Sequence, residues 1–127
     1  MQRRIIATDR APGAIGPYSQ GVKAGGFLFT AGQIPLDPTT MHIVGETAAE
    51  QARQALTNAR EVVEAGGLGL ADVVKVTVFI RDMNEFGAIN EVYKTFFAKE
   101  PPARSVVEVS GLPKDVLVEV EMIAYSG

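Results

Sequence analysis

The chain has 127 residues, 46% of them hydrophobic and 21% charged, with 12 Lys and Arg against 15 Asp and Glu for a net charge of -3. One folded domain over residues 1–127 follows, and a separate cofactor domain beside a catalytic one does not fit this length. The absence of cysteine excludes disulfides, thiolate nucleophiles, iron–sulfur clusters and thiolate zinc sites, and the single histidine, His42, excludes a cluster of histidine ligands. Basic residues never run longer than Arg3-Arg4, so the basic footprint expected for a nucleic-acid partner is missing. No segment approaches the ~18 uncharged apolar residues of a membrane span, and Met1 to Thr8 lacks a signal-peptide core. The expected compartment is therefore the cytoplasm.

Taken in chain order, Ala11 to Pro17 reads as a Gly-Pro loop. Ser19 to Ala24 and Phe27 to Ala31 read as antiparallel strands around a Gly25-Gly26 turn. A loop around Pro35 to Gly45 leads to Thr47-Ala48-Ala49-Glu50, a capping box that opens a helix ending near Ala65. Ala52, Ala55, Leu56, Ala59, Val62 and Val63 form its inner face, and Gly66-Gly67 supplies a left-handed cap. Val73 to Ile80 alternates, with Val74, Val76, Val78 and Ile80 expected on the core face and Lys75, Thr77 and Phe79 opposite. Asp82 or Asn84 caps a second helix running through Lys99, with Phe86, Ile89, Tyr93, Phe96 and Phe97 on its apolar side and Pro101-Pro102 as its stop. Strands from Arg104 to Ser110 and from Val116 to Tyr125 complete the chain. The expected order is β-β-β-α-β-α-β-β, an α+β layer with both helices on one side of a sheet. The other face, carrying Thr77 and Phe79, has a mixed polarity that favours burial by further copies of the chain.

Few residues carry distinctive chemistry. Gly67-Leu68-Gly69 resembles the start of a dinucleotide fingerprint but follows a helix rather than a strand, and His42 reads as a surface residue in a polar loop. Arg104 follows Pro101-Pro102-Ala103 and opens a strand otherwise built from Val106, Val107 and Val109. Two readings stand: a guanidinium held for bidentate recognition of a carboxylate, or a structural ion pair or edge-strand charge. Glu119 and Glu121 alternate along the last strand and project from one face, roughly 7 Å apart. Partly desolvated, they would repel by about 2 kcal/mol and leave one with a raised pKa; the alternative is a solvated face or ion pairs with Lys75 or Arg81. Tyr18, directly after Gly16-Pro17, brings a hydroxyl and an apolar ring and suits packing equally well.

Together, four blocks resemble the RidA (YjgF/YER057c/UK114) family, in order and over Ile6 to Ala124. They are Ala14-Ile15-Gly16-Pro17-Tyr18-Ser19-Gln20-Gly21, Gly32-Gln33-Ile34-Pro35, Pro102-Ala103-Arg104-Ser105, and Leu112-Pro113-Lys114-Asp115 with Val118-Glu119-Val120-Glu121. An arginine at the position of Arg104 marks the deaminase-type branch. The resemblance implies a chorismate-mutase-like α+β fold, two helices on one face of a mixed sheet, assembled as a homotrimer around a central barrel with a pocket at each subunit interface. It implies hydrolysis of 2-imino or 2-enamino acids, such as 2-aminoacrylate and 2-iminobutyrate, to 2-keto acids and ammonia, without cofactor or metal. Carried over by position, Arg104 would hold the substrate carboxylate, Glu121 would activate the attacking water and Tyr18 would place the imine. Gly32, Asn90, Ser105 and Val106 would complete the walls beside Ala31. Ala31 stands where a serine is common, and Val106 where a cysteine is frequent. Two other activities accompany the resemblance: an endoribonuclease or translation inhibitor, disfavoured by the net charge, and a small-acid-binding or chaperone-like module. Against the latter stands Glu121, because binding an anion gains nothing from a nearby carboxylate.

Overall fold

In the computed structural model, which describes residues 3–127, the elements follow the expected order. They are β1 (Arg3–Ile6), β2 (Gly21–Ala24), β3 (Phe27–Thr30), α1 (Ala48–Ala65), β4 (Val73–Ile80), α2 (Phe86–Phe96), β5 (Ala103–Glu108) and β6 (Val118–Tyr125). The first strand holds the two isoleucines ahead of the hairpin. All six strands form one mixed sheet in the order β1-β2-β3-β6-β4-β5, parallel only between β4 and β5. Both helices lie on one face of it, their buried residues sharing a core with Leu28, Val76, Val78, Ile80, Val118, Val120 and Met122.

α1 starts and stops as its sequence dictates. Thr47 Oγ1 accepts from the Glu50 N–H, and Glu50 Oε1 accepts from the Thr47 N–H, each at 3.1 Å. At the far end the Gly67 N–H donates to the Glu64 carbonyl (3.0 Å) and the Leu68 N–H to the Val63 carbonyl (3.3 Å). The left-handed residue of that motif is Gly67, with φ 87°, where any side chain would be strained. Ala52, Ala55 and Ala59 are fully buried, and their small side chains let the helix lie close on the sheet.

Several expected boundaries move for identifiable reasons. Val74 is exposed and Val73 takes the core position, because Val73 faces Ala124 while Lys75 faces Ile123, leaving Val74 as the extra residue of a bulge. The Asp82 carboxylate accepts from the Asn84 N–H and caps a single 3-10 turn, Met83–Glu85, so α2 begins at Phe86. It ends at Phe96 rather than Lys99, since Phe97 leaves helical dihedrals (φ -129°, ψ 65°) and buries its ring against Tyr93, centroids 4.9 Å apart. β5 stops at Glu108 and β6 starts only at Val118, with a 3-10 turn at Pro113–Asp115 between them.

Two buried amides hold the loops that frame the site. Gln20 Nε2 donates to the carbonyls of Thr8 (2.9 Å), Ala11 (3.1 Å) and Pro12 (2.8 Å), and its Oε1 accepts from the Thr8 N–H at 2.7 Å. This use of Gln20 explains why β2 begins at Gly21 instead of Ser19. Asn58, fully buried in α1, donates from Nδ2 to the carbonyls of Ile34 and Leu36, both at 3.0 Å. The sheet face away from the helices leaves Phe27, Phe29, Val107 and Tyr125 exposed. No described helix is long and apolar enough to cross a membrane. Asn58→Ala should destabilise the chain by about 2 kcal/mol, because two hydrogen bonds are lost and, among the described residues, the Ile34 and Leu36 carbonyls keep only the Leu36 N–H (2.8 Å) and Gln54 Nε2 (3.4 Å) as donors. A lowered urea midpoint is the expected result, and an unchanged one would contradict this account of the loop.

Candidate active site

Tyr18, Ala31 and Gly32 meet in a hollow of about 380 Å³, walled further by Ile15, Ile34, Pro113 and Glu119. The Gln20 amide fixes the loop before Tyr18, and the Ala31 N–H donates to the Gln20 carbonyl at 2.8 Å. The strand-like segment beyond Gly32 is tied to β6, with the Gln33 N–H donating to the Val120 carbonyl (2.7 Å) and the Val120 N–H donating to the Gln33 carbonyl (3.0 Å). This pairing sets Gly32 against the side chain of Glu119. A Cβ at residue 32 would collide with the Glu119 carboxylate, so any side chain there would push that carboxylate out of its present position. Pro113 opens a turn in which Lys114 (φ 56°) and Asp115 (φ 57°) are both left-handed, a locally strained wall.

Burial pushes the Glu119 carboxyl above the usual carboxylate range, and the negative charge of Glu121 pushes it further. Glu121 projects from the same sheet face but stands beside Thr77, outside the walls of the Tyr18 hollow. Neither carboxylate finds an ion-pair partner among the described residues: Arg81 pairs with Asp115 at 3.7 Å, and Lys75 donates to Ser105 Oγ at 2.9 Å.

Arg104 occupies a second place. It is the second residue of β5, at the sheet edge, and lies beside Val76, whose side chain belongs to the helix-side core. Its guanidinium therefore turns toward α2, where Nη1 donates to Asn90 Oδ1 at 2.7 Å and Cζ lies 4.7 Å from the Tyr93 ring centroid and 5.3 Å from that of Phe86. Arg104 and Asn90 line a hollow of about 330 Å³ with Tyr93, Lys94, Phe97, Pro101 and Pro102. No ion pair among the described residues involves Arg104. Val106 shares the helix-side face and packs against the core, whereas Ser105 faces the open side with Thr77.

One chain thus brings together Arg104 with Asn90, and Tyr18 with Ala31, Gly32 and Glu119, but does not bring the two groups to each other. Glu119 lies beside Phe79 on the open face, and Arg104 beside Val76 on the other. With β4 between them, their strands are also two spacings, or about 10 Å, apart. Among the described residues no three His, Asp or Glu side chains converge as metal ligands. Sequence reasoning did not single out Glu119 over Glu121, because alternation places both on one face and only the distant Gln33 pairing separates them. It also read Phe86 and Tyr93 as core alone; with Asn90 they lie at i, i+4 and i+7, a helix face that marks their common contact.

The chain is thus a six-stranded α+β domain in which a carboxylate lines one hollow and an arginine with no ion-pair partner among the described residues lines another. Residues 8–126 match the family described as endoribonuclease L-PSP, and the chain belongs to this family, which includes the YjgF and RidA proteins. A RutC family protein from Pyrococcus horikoshii is 55% identical over 97% of this chain and 98% of its own. The 2-iminobutanoate/2-iminopropanoate deaminase of Escherichia coli K12 is 51% identical over 95% of this chain and 96% of its own. Among solved structures, Escherichia coli TdcF with bound serine is 51% identical with a TM-score of 0.94, covering 98% of this chain and 99% of that one.

Glu121→Gln should lower the pKa of Glu119 by removing the adjacent negative charge while leaving its burial unchanged. A carboxyl-carbon NMR titration of Glu119 would show the shift, and an unmoved titration would mean the two carboxylates do not interact.

Proposed function

We propose that this protein hydrolyses 2-imino acids to 2-keto acids and ammonia, at sites completed between chains of a homotrimer. The observation that carries this reading is Arg104: an exposed arginine, held by an amide oxygen and two aromatic faces, with no ion-pair partner among the described residues. Such an arginine suits bidentate capture of a ligand carboxylate. Relatives named as 2-iminobutanoate/2-iminopropanoate deaminases, 51% and 52% identical, support the reaction class. Serine bound to TdcF supports a small amino-acid-like ligand.

In this scheme Arg104 of one chain clamps the substrate carboxylate, and the hollow of a neighbouring chain receives the imine. Glu119 takes a proton from water as the water oxygen bonds to C2, the C=N electron pair moves to nitrogen, and Glu119 returns that proton to the nitrogen. From the resulting carbinolamine the same carboxylate takes the hydroxyl proton and passes it to nitrogen as the C–N bond breaks, giving the ketone and ammonia. The Tyr18 hydroxyl and the Gly32 N–H place the reacting atoms. An imine is electrophilic enough to hydrolyse unaided, so positioning and one proton acceptor supply a useful rate. Glu119 is preferred here to Glu121, to which the family resemblance pointed, because it lines the hollow with Tyr18 and Gly32. Glu121 then serves to raise the pKa of Glu119.

The family's description also raises RNA cleavage as a second reading. A net charge of -3 and the lack of basic runs weigh against it, since RNA binding rests on phosphate contacts. If RNA cleavage accompanies the purified protein, it should survive Arg104→Ala.

The test is release of ammonia and keto acid while a serine or threonine dehydratase generates the imine in situ. Arg104→Ala should lose about 2 to 5 kcal/mol of transition-state stabilisation, roughly 30-fold to several thousandfold in kcat/KM. Arg104→Lys should recover little of it, and a fully active lysine variant would remove the clamp assignment. Glu119→Gln should lower kcat while affinity for an unreactive keto acid holds. For the wild type, activity should fall as pH drops through the raised pKa of Glu119, and in Glu121→Gln that acid limb should move to lower pH. Loss of turnover in Glu121→Gln with Glu119→Gln unaffected would return the acceptor role to Glu121.

A further inference from the structure

We propose that the rings of Tyr93 and Phe86 are positioning residues that aim the Arg104 guanidinium, leaving most of its N–H groups available to a ligand carboxylate. This inference rests on the reading of Arg104 as a carboxylate clamp. A guanidinium has five N–H donors in one plane. An acidic neighbour would fix it by taking two of them and cancelling the charge. Among the described residues the only protein hydrogen bond to the group goes from Nη1 to Asn90 Oδ1 (2.7 Å), a neutral acceptor. The remaining contacts are with ring faces, 4.7 Å to the Tyr93 centroid and 5.3 Å to that of Phe86. Attraction between a cation and an aromatic face holds the plane of the group without occupying its edges.

The placement follows from two rigid elements. Phe86, Asn90 and Tyr93 lie at i, i+4 and i+7 on α2, and Arg104, near the start of the edge strand, reaches that helix face with its side chain. Tyr93 is nearly fully buried, yet its hydroxyl has no hydrogen-bond partner among the described residues. An unpartnered buried hydroxyl costs stability, so it is the ring, and not the hydroxyl, that explains the contact with Arg104.

The test compares Tyr93→Leu, Tyr93→Phe, Phe86→Leu and Arg104→Ala for binding of 2-ketobutyrate, an unreactive analogue of the imine. Tyr93→Leu and Phe86→Leu should weaken binding by about five- to tenfold, and the conservative Tyr93→Phe should restore affinity to within about twofold. The Arg104 side-chain protons should carry a ring-current shift in the NMR spectrum that persists in Tyr93→Phe and shrinks in Tyr93→Leu to the part contributed by Phe86. The acid limb set by Glu119 should stay where it is in all three aromatic variants. Because Tyr93 belongs to the core, Phe86→Leu, at a half-buried position, keeps the question open to an answer if Tyr93→Leu does not fold. Wild-type affinity in Phe86→Leu, or equal impairment in Tyr93→Phe and Tyr93→Leu, would overturn the proposal. Wild-type affinity in Arg104→Ala would instead overturn the clamp on which it rests.

Discussion

Side-chain alternation across three neighbouring strands decides what one copy of this chain can do alone. Arg104 on β5 shares its face with Val76, and Glu119 on β6 shares the opposite face with Phe79. The strand between them is continuous and hydrogen-bonded on both sides, so no rotamer change carries either group to the other. In the function proposed above the arginine is a carboxylate clamp and Glu119 a proton acceptor, and each is then half of a site. Any chemistry that needs both requires a second copy of the chain.

The same constraint gives meaning to the uncovered sheet face. Phe27, Phe29, Tyr125 and Val107 are exposed there, and Phe27 already stacks on Tyr125 with centroids 4.7 Å apart. An apolar surface of this kind favours association. Assembly that covers the face and completes the site in one step accounts for both observations, which is the economy of the homotrimer proposed above. Each half is also supported by rigid structure: Arg104 by a face of α2, and Glu119 by a β6 strand whose neighbour at residue 32 has no side chain to displace it. The loop beneath Tyr18 is pinned by the four hydrogen bonds of Gln20, and the Ile34–Leu36 segment by Asn58.

Most of the fold is legible in the sequence because its local signals agree. The capping box at Thr47, the two glycines after Ala65 and the alternation from Val73 to Ile80 each depend on nearby residues, and each appears in the structure with its expected type. The discrepancies arise where distant partners decide. Val74 is displaced from the core by a bulge set by the register with β6, and α2 ends early because Phe97 finds a better place against Tyr93. The site follows the same rule. Arg104 and Tyr18 stand out by type and local context and Gly32 only through the family resemblance, whereas the distinction between Glu119 and Glu121 depends on where residues 31–34 dock. Gln20 and Asn58 carry no apolar pattern and become visible only through the carbonyls they hold.

The central claim, that the arginine and the carboxylate of one working site come from different chains, is tested most directly by mixed assembly. Chains carrying Arg104→Ala and chains carrying Glu119→Gln, each inactive by itself, are unfolded together in equal amounts and refolded, with mixed oligomers verified by mass. A junction draws an intact arginine and an intact carboxylate about one time in four, so imine hydrolysis should return to about a quarter of the wild-type level. Verified mixed oligomers with no recovered activity would place both residues of each site on one chain and contradict the account.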